Sequence, residues 1–546
     1  MKKALLVLFS ACLAYSFATA QGNLSGNFQI EAQSYTADSL IGAIKVPEKI
    51  RSNSFLNLIY NTGKFEVGAR YEAYYKPLLG FDPRYEGSGI SYRYASYRSE
   101  KIDVTAGDFY EQFGSGVIFR AYEERALGFD NAVDGLRVKF RPAAGIEATA
   151  LIGKMRSFWG KSRGIVRAGD VNFSLNSIFT ETLEEAPQLA LGGSVVSKYE
   201  EDDNSQFRLP ENVLAYSLRG SVTGESYSAE LEYAYKHNDP KTTNLYTFSP
   251  GHALILNTSY FTEGFGLSLN LHSLDNMDFR ADRAATANNL TINYIPALTR
   301  QHAYRLATLY PFATQFNGEA GAQLEATINL PEKTFLGGER GGSLTLNYSR
   351  LHSVKRDTIN KYKYDSPLIS VGDRLFFQDF NIEYLREWSK NFKSVLTFIN
   401  LIYDKDVIES GGGYRYGKIY SNILVADLTF KLSDFNALRI EGQHLWSSRD
   451  SAVHAGENTN GNWLFGLAEL TLAPNWYITV YDEYNYDNEF EDLRLHYLNG
   501  SLAYLFESTR IQLGYGRQRS GILCVGGVCR YVPASNGFSL SVSSSF

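Results

Sequence analysis

FEVGARYEAYYK, residues 65–76, alternates apolar and polar side chains along its whole length. Phe65, Val67 and their successors at every second position are apolar, whereas Arg70 and Glu72 belong to the other set. Side chains of a β-strand point alternately to opposite faces, so the segment predicts a strand with one apolar and one charged face. It is longer than the roughly five or six residues typical of strands in soluble sheets, and it suits a tilted strand that crosses a bilayer.

The same alternation recurs along the chain. It is visible at 227–235, at 319–328 and at 438–446, where apolar residues again alternate with Glu, Gln or Arg. In a soluble sandwich such apolar faces would meet in a core, but these runs have about the 9–11 residues of a membrane-crossing strand or more. The pattern therefore predicts an all-β protein, a large closed antiparallel transmembrane β-barrel.

The composition agrees with strands rather than helices. The 546 residues include 38 Tyr, 34 Phe and 5 Trp, yet the mean hydropathy is only −0.25, so the apolar residues are dispersed along the chain. The 47 Gly and the many aromatic residues are typical of strands joined by turns. The net charge of −6, with no block of basic residues, argues against nucleic acid as a partner.

The N-terminus predicts export. Two lysines precede the apolar run 4–15, and the small residues 18–20 form a cleavage site, so residues 1–20 are predicted to be a signal peptide. A lipoprotein signal acylated at Cys12 is the alternative, although Phe9 fits that motif poorly. Beyond the signal peptide, no segment reaches the roughly 18 consecutive apolar residues of a membrane-spanning helix. The mature protein is therefore either a barrel or soluble outside the inner membrane.

The lengths of the connections give an independent test of the barrel. Outer-membrane barrels alternate short periplasmic turns with longer external loops. Eleven connections on one side, such as 61–63 and 262–264, alternate with twelve mostly longer ones, such as 77–87 and 238–250. They predict 24 strands, within a range of 22 to 26 because 277–315 has room for one more strand pair. The even number places both termini on the periplasmic side.

The C-terminal segment alternates in the same way and ends on an aromatic residue. Phe538, Leu540, Val542 and Phe546 are predicted to form the apolar face of the last strand. This pattern resembles the terminal signal by which outer-membrane barrels are recognised for insertion. We therefore expect the outer membrane as the location, with its lipid and the barrel-assembly machinery as partners.

Tyrosines near the predicted strand ends fit the aromatic girdles that barrels place at the membrane interfaces. Ordinary strand propensity is the alternative explanation, since tyrosine favours strands in any environment. The residues are Tyr60, Tyr92, Tyr94, Tyr477 and Tyr481.

The most distinctive segment is residues 107–135, GDFYEQFGSGVIFRAYEERALGFDNAVDG. At this segment the chain resembles a family of uncharacterised outer-membrane barrel proteins of Bacteroidota, whose members look like it over nearly the full mature length. That family has no assigned activity. The resemblance implies a location and an architecture, and it brings no catalytic residues with it.

Two long connections, 110–133 and 277–315, are predicted to fold into the barrel and narrow it. A barrel of 24 strands encloses a wide lumen, and no N-terminal plug domain is expected because the first strand begins near Asn27. Gly114 and Gly116 allow tight turns or close approach. The alternative is an external loop held by its own salt bridges. Candidate constriction residues are four charged residues of the first connection and the cationic row that follows it: Arg120, Glu123, Glu124, Arg125, Arg137, Lys139 and Arg141.

Cys524 and Cys529 are separated by four residues in the last external connection. In an oxidising compartment they predict a disulfide, with two unpaired thiols as the alternative. No histidine lies near them, and the acidic segments 200–203 and 275–282 lack the spacing of a calcium loop, so we predict no metal site and no cofactor. The eight histidines form no catalytic motif, and we expect no enzymatic activity.

Two functions remain compatible with these features. The charged inward faces favour a porin-like passive or gated channel for polar solutes. The alternative is a non-conducting barrel that acts as a scaffold or partner in surface-protein or secretion machinery, with periplasmic or surface proteins as its partners. Occlusion of the lumen is the property that separates the two.

Overall fold

A computed structural model describes residues 22–179, 186–409, 416–450, 459–525 and 528–546. Within these residues the chain forms one closed antiparallel β-barrel of twenty-four strands, which confirms the predicted fold class and strand number. The predicted signal peptide lies outside the described residues.

The barrel strands have 8 to 15 residues, a range that suits strands tilted across a membrane. In chain order they are β1 Asn23–Ser34, β2 Ile50–Thr62, β3 Phe65–Tyr75, β4 Gly87–Arg98, β5 Ile102–Phe109, β6 Val133–Phe140, β7 Ile146–Ser157, β8 Ile165–Ser174, β9 Gln188–Tyr199, β10 Asn212–Thr223, β11 Tyr227–Lys236, β12 Gly251–Thr262, β13 Phe265–Asp275, β14 Glu319–Leu330, β15 Gly342–His352, β16 Leu375–Ser389, β17 Phe392–Asp404, β18 Lys418–Lys431, β19 Asn436–Arg449, β20 Trp463–Leu472, β21 Trp476–Asn485, β22 Asn499–Phe506, β23 Thr509–Gln518 and β24 Ser535–Ser545.

The barrel closes because its first and last strands pair. β1 runs antiparallel to β24, with Phe28 opposite Ser544 and Ala32 opposite Leu540. The backbone N–H of Phe546 donates to the carbonyl of Gly26 at 2.9 Å, which carries the pairing to the end of the chain. Closure leaves the sheet without an unpaired edge, as a strand array in lipid requires.

The two faces of the wall differ as the alternation predicts. In β3, Phe65, Val67 and Tyr75 are 58 %, 52 % and 69 % exposed on the outer surface. Arg70 and Glu72 of the same strand face the lumen and are 3 % and 1 % exposed. The outer wall is therefore apolar, and polar side chains are directed into the barrel.

Exposed aromatic residues form two bands on the outer wall, as expected for side chains at the two interfaces of a membrane. The predicted terminal residues Phe538 and Phe546 lie in different bands, and Leu540 and Val542 lie between them on the same face. The band beside the short connections includes Phe65, Phe140, Tyr227, Tyr260, Trp388, Phe435, Trp476, Phe506 and Phe546. The band beside the long connections includes Tyr75, Tyr216, Tyr348, Tyr420, Tyr515 and Phe538.

Four of the tyrosines predicted for the girdles point into the lumen instead. The hydroxyl of Tyr94 donates to Glu66 on the inner wall at 2.7 Å, and the ring of Tyr92 stacks on that of Tyr110 with centroids 5.1 Å apart. Tyr477 and Tyr481 also alternate with the outward residues of β21 and face inward. Strand propensity places a tyrosine on a strand but does not choose its face, and this part of the prediction was wrong.

The connections alternate in length as predicted. The short ones, such as 63–64 and 263–264, are tight turns, and the long ones include 110–132 and 276–318. The additional strand pair that 277–315 could have held is absent from the described part of the chain, where no segment of 277–315 pairs with the barrel sheet. Among the described residues, no helix is both long and apolar enough to cross a membrane.

We expect the long connections to face the cell exterior. A peptide tag inserted between Ser205 and Gln206, which are exposed in the 200–211 connection, should bind its antibody on intact cells. The same tag between Glu332 and Lys333, exposed in a connection on the other side, should bind only after permeabilisation. Equal labelling of both insertions on intact cells would contradict this orientation.

Candidate functional site

Two long connections lie inside the barrel: residues 110–132, the first lumen loop, and residues 276–318, the second lumen loop. Phe113, Val117 and Ile118 of the first lumen loop are at most 1 % exposed. A patch of small apolar residues on the inner wall therefore receives this loop. These residues face inward from β8 to β12 and are Val166, Ala168, Val196, Val213, Ala215, Ala234 and Ala253.

Gly114 and Gly116 let the first lumen loop approach the wall. Gly114 has a φ of +52°, and a Cβ at this position would lie 2.7 Å from Oε1 of Glu232 in β11. The N–H of Ser115 donates to the other carboxylate oxygen of Glu232 at 2.9 Å. Gly116 has a φ of +94°, a conformation that glycine adopts without the strain of a side chain. A larger residue at Gly114 would strain the backbone at this positive φ and displace the Glu232 carboxylate that holds the loop to β11.

The two lumen loops are hydrogen-bonded to each other like adjacent strands. The N–H of Arg120 donates to the carbonyl of Ile292 at 2.8 Å, and the N–H of Tyr294 donates to the carbonyl of Gly116 at 2.9 Å. Apolar residues of the first loop and of residues 277–295 in the second belong to one buried cluster that also includes the receiving patch on the wall. The loops therefore form a single body inside the barrel.

Asn131 and Asn293, one from each lumen loop, strengthen this pairing through their side-chain amides. Nδ2 of Asn131 donates to the carbonyls of Arg120 at 3.0 Å and Thr291 at 2.8 Å. Nδ2 of Asn293 donates to the carbonyl of Val117 at 3.0 Å. Both asparagines are at most 2 % exposed, so an apolar replacement would leave buried carbonyls unpaired.

Five charged side chains anchor the first lumen loop to the wall. Arg70 of β3 pairs with two loop residues, Glu123 at 2.7 Å and Asp130. Arg156 of β7 pairs with Asp130 at 2.6 Å and with Glu72 of β3 at 2.6 Å. All of them except Glu123 are less than a tenth exposed. Removal of one member would leave a buried charge without compensation, so the network fixes the position of the loop.

The three carboxylates of this anchor also lie close together. Oxygen atoms of Glu72, Glu123 and Asp130 are within 4.8 Å of one another, a spacing that a metal ion can bridge. Arg70 and Arg156 occupy this position as counter-ions, with contacts of 2.6–2.8 Å to the carboxylates. The arrangement fits anchoring through arginine rather than metal coordination.

Arg125 and Glu124 act at the turn that follows Glu123. Arg125 pairs with Glu123 at 2.8 Å and donates to the side-chain carbonyl of Gln29 in β1 at 3.2 Å. Glu124 accepts from the N–H of Ala126 at 3.1 Å and so caps a short 3₁₀ turn. Of these two predicted constriction residues, only Arg125 contacts the wall through these bonds.

Arg120, another candidate constriction residue, contacts two aromatic rings. Its guanidinium lies 4.4 Å from the ring centre of Tyr122 and 4.1 Å from that of Tyr294. Both are cation–π contacts, and the one with Tyr294 joins the first lumen loop to the second. Arg120 thus holds one lumen loop to the other.

The cationic row on β6 is paired with acidic residues. Arg137 and Lys139 both contact Glu111 at the start of the first lumen loop, at 3.1 Å and 2.8 Å. Arg141 follows β6 in a short connection and pairs with Asp103 at 3.0 Å. Arg137 and Lys139 therefore help to position the first lumen loop, whereas Arg141 joins neighbouring strands on the side of the short connections.

A cluster of buried charges anchors the start of the second lumen loop. Lys241 and Asp239 of the 237–250 connection are at most 1 % exposed and pair at 3.1 Å. Nζ of Lys241 also donates to the carbonyl of Asp278 at 2.6 Å, and Lys198 of β9 pairs with Asp239 at 2.8 Å. Burial alone would raise the pKa of Asp239, but the two ammonium groups hold it well below its usual range. Asp239 therefore stays ionised.

The second lumen loop then crosses the lumen to another part of the wall. Arg300 pairs with Glu383 of β16 at 2.9 Å, and Arg305 pairs with Glu483 of β21. The fully buried Leu306 lies between strands β16 and β20, in a second apolar cluster. Residues of the loop in this cluster are Leu298, Leu306, Ala307, Leu309, Tyr310 and Phe312.

Other long connections complete the filling of the barrel on this side. Ile41, Leu495, Tyr497 and Ala534 come from three further connections and belong to the second apolar cluster. Each is at most 8 % exposed. The half of the lumen beside the long connections is therefore packed by loops from several parts of the chain.

Cys524 and Cys529 are joined by a disulfide within a two-stranded hairpin at 521–532. Asn288 of the second lumen loop donates a hydrogen bond to the carbonyl of Cys529. The disulfide thus stabilises a hairpin that contacts the filling of the barrel. We refer to it as the disulfide hairpin.

Sequence reasoning missed Glu111, Asp130, Asn131 and Asn293. All four are polar residues inside connections, where no periodic pattern identifies a buried position. One signal was present: Asp130 and Asn131 are flanked by Phe129 and by Ala132, in a loop too apolar to be solvated. Polar residues in such a loop need partners in the interior, because a buried polar group without one is costly.

We expect Asp130→Asn to loosen the first lumen loop. The change removes a carboxylate shared by Arg70 and Arg156, and breaking a buried ion pair costs about 3–5 kcal/mol. In the assembled barrel, trypsin should then cleave the loop at Arg120 or Arg125, detected as two fragments on a denaturing gel. Glu124→Gln is the control, since it weakens only a turn cap. Equal resistance of the two variants to trypsin would show that the network does not hold the loop.

The chain is similar in structure to several large barrels. The siderophore receptor PirA from Pseudomonas aeruginosa is 11 % identical, with 96 % of this chain and 80 % of that chain covered and a TM-score of 0.41. The outer membrane transporter YddB from Escherichia coli is 9 % identical, with 96 % and 81 % covered and a TM-score of 0.40. A BenF-like porin from Pseudomonas fluorescens Pf-5 is 11 % identical, with 79 % and 99 % covered and a TM-score of 0.34.

At such identities, the functions named for those barrels do not transfer to this chain. No curated protein matches it in sequence. The predicted resemblance to a family without an assigned activity agrees with the family match, whereas an origin in Bacteroidota stays a prediction. The match covers residues 1–546 in full, and the chain belongs to the family described as a family of unknown function (DUF6029).

Proposed function

We propose that the protein spans the outer membrane and is inserted there by the barrel-assembly machinery after export. The apolar outer wall and its two aromatic bands support a membrane location. The exposed Phe538 and Phe546 on the last strand support recognition during insertion. Residues 1–20 would act as the cleaved signal peptide.

Within that membrane, we propose a gated channel for polar solutes. The observation that carries this proposal is that the obstruction consists of connections, while the wall beside the short turns stays polar. A cavity of about 360 Å³ there is bordered by Tyr94, Arg98 and Arg137, and one of about 230 Å³ by Glu469 and Arg510. Polar solutes would enter this half of the lumen from the periplasmic side, and no catalytic step or cofactor is involved.

Passage requires that the lumen loops move relative to the wall. The first lumen loop is attached to the wall by the Arg70–Arg156 network and by Glu111, both of them ionic contacts. These ion pairs are largely buried, but side-chain pairs can exchange partners without breaking the backbone ladder of the closed wall. The lumen loops are therefore the gate, and the wall is the fixed frame.

A non-conducting scaffold is the second candidate, and the completeness of the packing favours it. Phe119 and Ala132 of the first lumen loop and Leu306 of the second have no exposed surface. A filling this tight would suit a barrel that presents its loops to periplasmic or surface proteins and conducts nothing. Single-barrel conductance in a planar bilayer separates the two functions.

We expect deletion of residues 113–131 to increase permeability. Phe109 and Val133 are paired across β5 and β6, so a short Gly-Ser linker can replace the deleted part without altering the wall. Loss of the first lumen loop also removes the partner of the second, and the lumen should widen. The measurements are conductance of the purified barrel and sensitivity of cells to vancomycin, which normally does not pass the outer membrane.

Replacement of residues 202–206 in an exposed connection by the same linker is the control, and it should leave both readouts unchanged. Assembly of each variant is checked by its heat-modifiable mobility on a gel. Unchanged conductance of the correctly assembled deletion variant would show that the first lumen loop is not a constriction, and would favour the scaffold.

A further inference from the structure

A cavity lies between the second lumen loop and the disulfide hairpin. Its volume is about 290 Å³, near the lower end of the range of small-molecule sites. Residues of the segment 297–312 border it on one side, residues of 518–524 and Val532 border it on the other, and Phe377 and Leu401 of the wall lie behind. It is separate from the polar cavities beside the short turns.

The cavity has a cationic lining. Arg300, His302, Arg305 and Arg519 border it, whereas no aspartate or glutamate of the described chain does. Their acidic partners lie behind them in the wall. Because these acids are shielded from the cavity, a bound molecule meets the nitrogen atoms and not the carboxylates.

Arg305 and Arg519 share a single carboxylate. Nε of Arg519 lies 3.0 Å from Glu483, whose other oxygen contacts Nε of Arg305, and Glu483 is fully buried. One negative charge therefore faces two positive charges. The terminal nitrogens of Arg305 make no hydrogen bond to any described residue, and its side chain is 35 % exposed toward the cavity. They can bind an acceptor, since a guanidinium has five N–H donors.

The rest of the lining is apolar. Phe312 of the second lumen loop stacks on Phe377 with ring centroids 5.0 Å apart. The disulfide hairpin contributes Ile522, Leu523 and Val532. The cavity thus joins guanidinium donors to an apolar surface, which is complementary to a molecule with one charged end and one apolar end.

We propose that this cavity binds a small amphipathic anion. Its carboxylate or phosphate group is held by Arg305 and Arg519, and a short apolar tail packs against Phe312, Ile522 and Leu523. Arginine suits this role because its planar fork matches both kinds of anionic group. Binding does not require the barrel to conduct, so this proposal goes beyond the channel and is tested without it.

The test measures binding of hexanoate to the full barrel in lipid nanodiscs by ligand-observed NMR, with empty nanodiscs as the blank. Hexanoate should bind saturably. Hexanamide, which has the same tail and no charge, should bind at least about tenfold more weakly, as expected for loss of a charge-assisted hydrogen bond. Acetate, which lacks the tail, should also bind about tenfold more weakly or worse.

Arg305→Gln and Arg519→Gln should each weaken hexanoate binding about tenfold or more and leave hexanamide binding unchanged. Arg340→Gln, which changes an exposed arginine of the 331–341 connection that pairs with Glu387, is the matched control and should bind hexanoate normally. Heat-modifiable mobility on a gel verifies the assembly of each variant. If Arg305→Gln does not assemble, binding is compared for Arg519→Gln alone. The proposal is wrong if hexanoate does not saturate, if hexanamide binds equally well, or if both glutamine variants bind hexanoate normally. In the last case the two arginines serve only to neutralise Glu483.

Discussion

The width of the lumen is the constraint on which the other features of this barrel depend. Closure of twenty-four strands satisfies the backbone hydrogen bonds of the wall. Because barrel diameter grows with strand number, however, inward side chains alone cannot fill the lumen. The chain fills it with its own connections, chiefly the two lumen loops. The wall changes composition to receive them: Val213 and Ala234 are fully buried at positions where a solvated inner wall would be polar. The apolar patch of the wall and the apolar residues of the first lumen loop are thus two parts of one core.

Apolar burial and charge have different roles in that core. Burial of a side chain such as Phe113 or Ile118 stabilises by about 1.5–3 kcal/mol, and this attraction has no preferred direction. Ion pairs at Arg70 and Arg156 add little net stability, because desolvation opposes the Coulomb attraction. They do require one geometry, however, since Asp130 must reach both guanidinium groups. The apolar residues therefore bring the loop into the barrel, and the charged residues determine where it rests.

The barrel could be predicted from the sequence because a period-two pattern is local: residues 65–76 show both faces of a strand without knowledge of any other strand. The positions of Tyr92 and Tyr477 could not be predicted from propensity, because a tyrosine with an apolar ring and a hydroxyl fits either face. The anchor network depends on residues that are still farther apart in the sequence. Asp130 meets Arg70 only because β3 and β7 place their inward side chains beside the same loop, and no spacing along the chain encodes that meeting.

The attachment of the lumen loops limits how the barrel can open. Each loop is continuous with two wall strands, the first at Phe109 and Val133 and the second at Asp275 and Glu319, so neither can leave the lumen as a separate domain could. A backbone hydrogen bond from Arg120 to Ile292 couples the two loops. The second lumen loop also packs against the wall in both apolar clusters. A change that frees the first loop must therefore also break its pairing with the second. The proposed opening would therefore be a rearrangement of one coupled body inside a fixed wall, and contacts between the loops would oppose it as much as contacts with the wall.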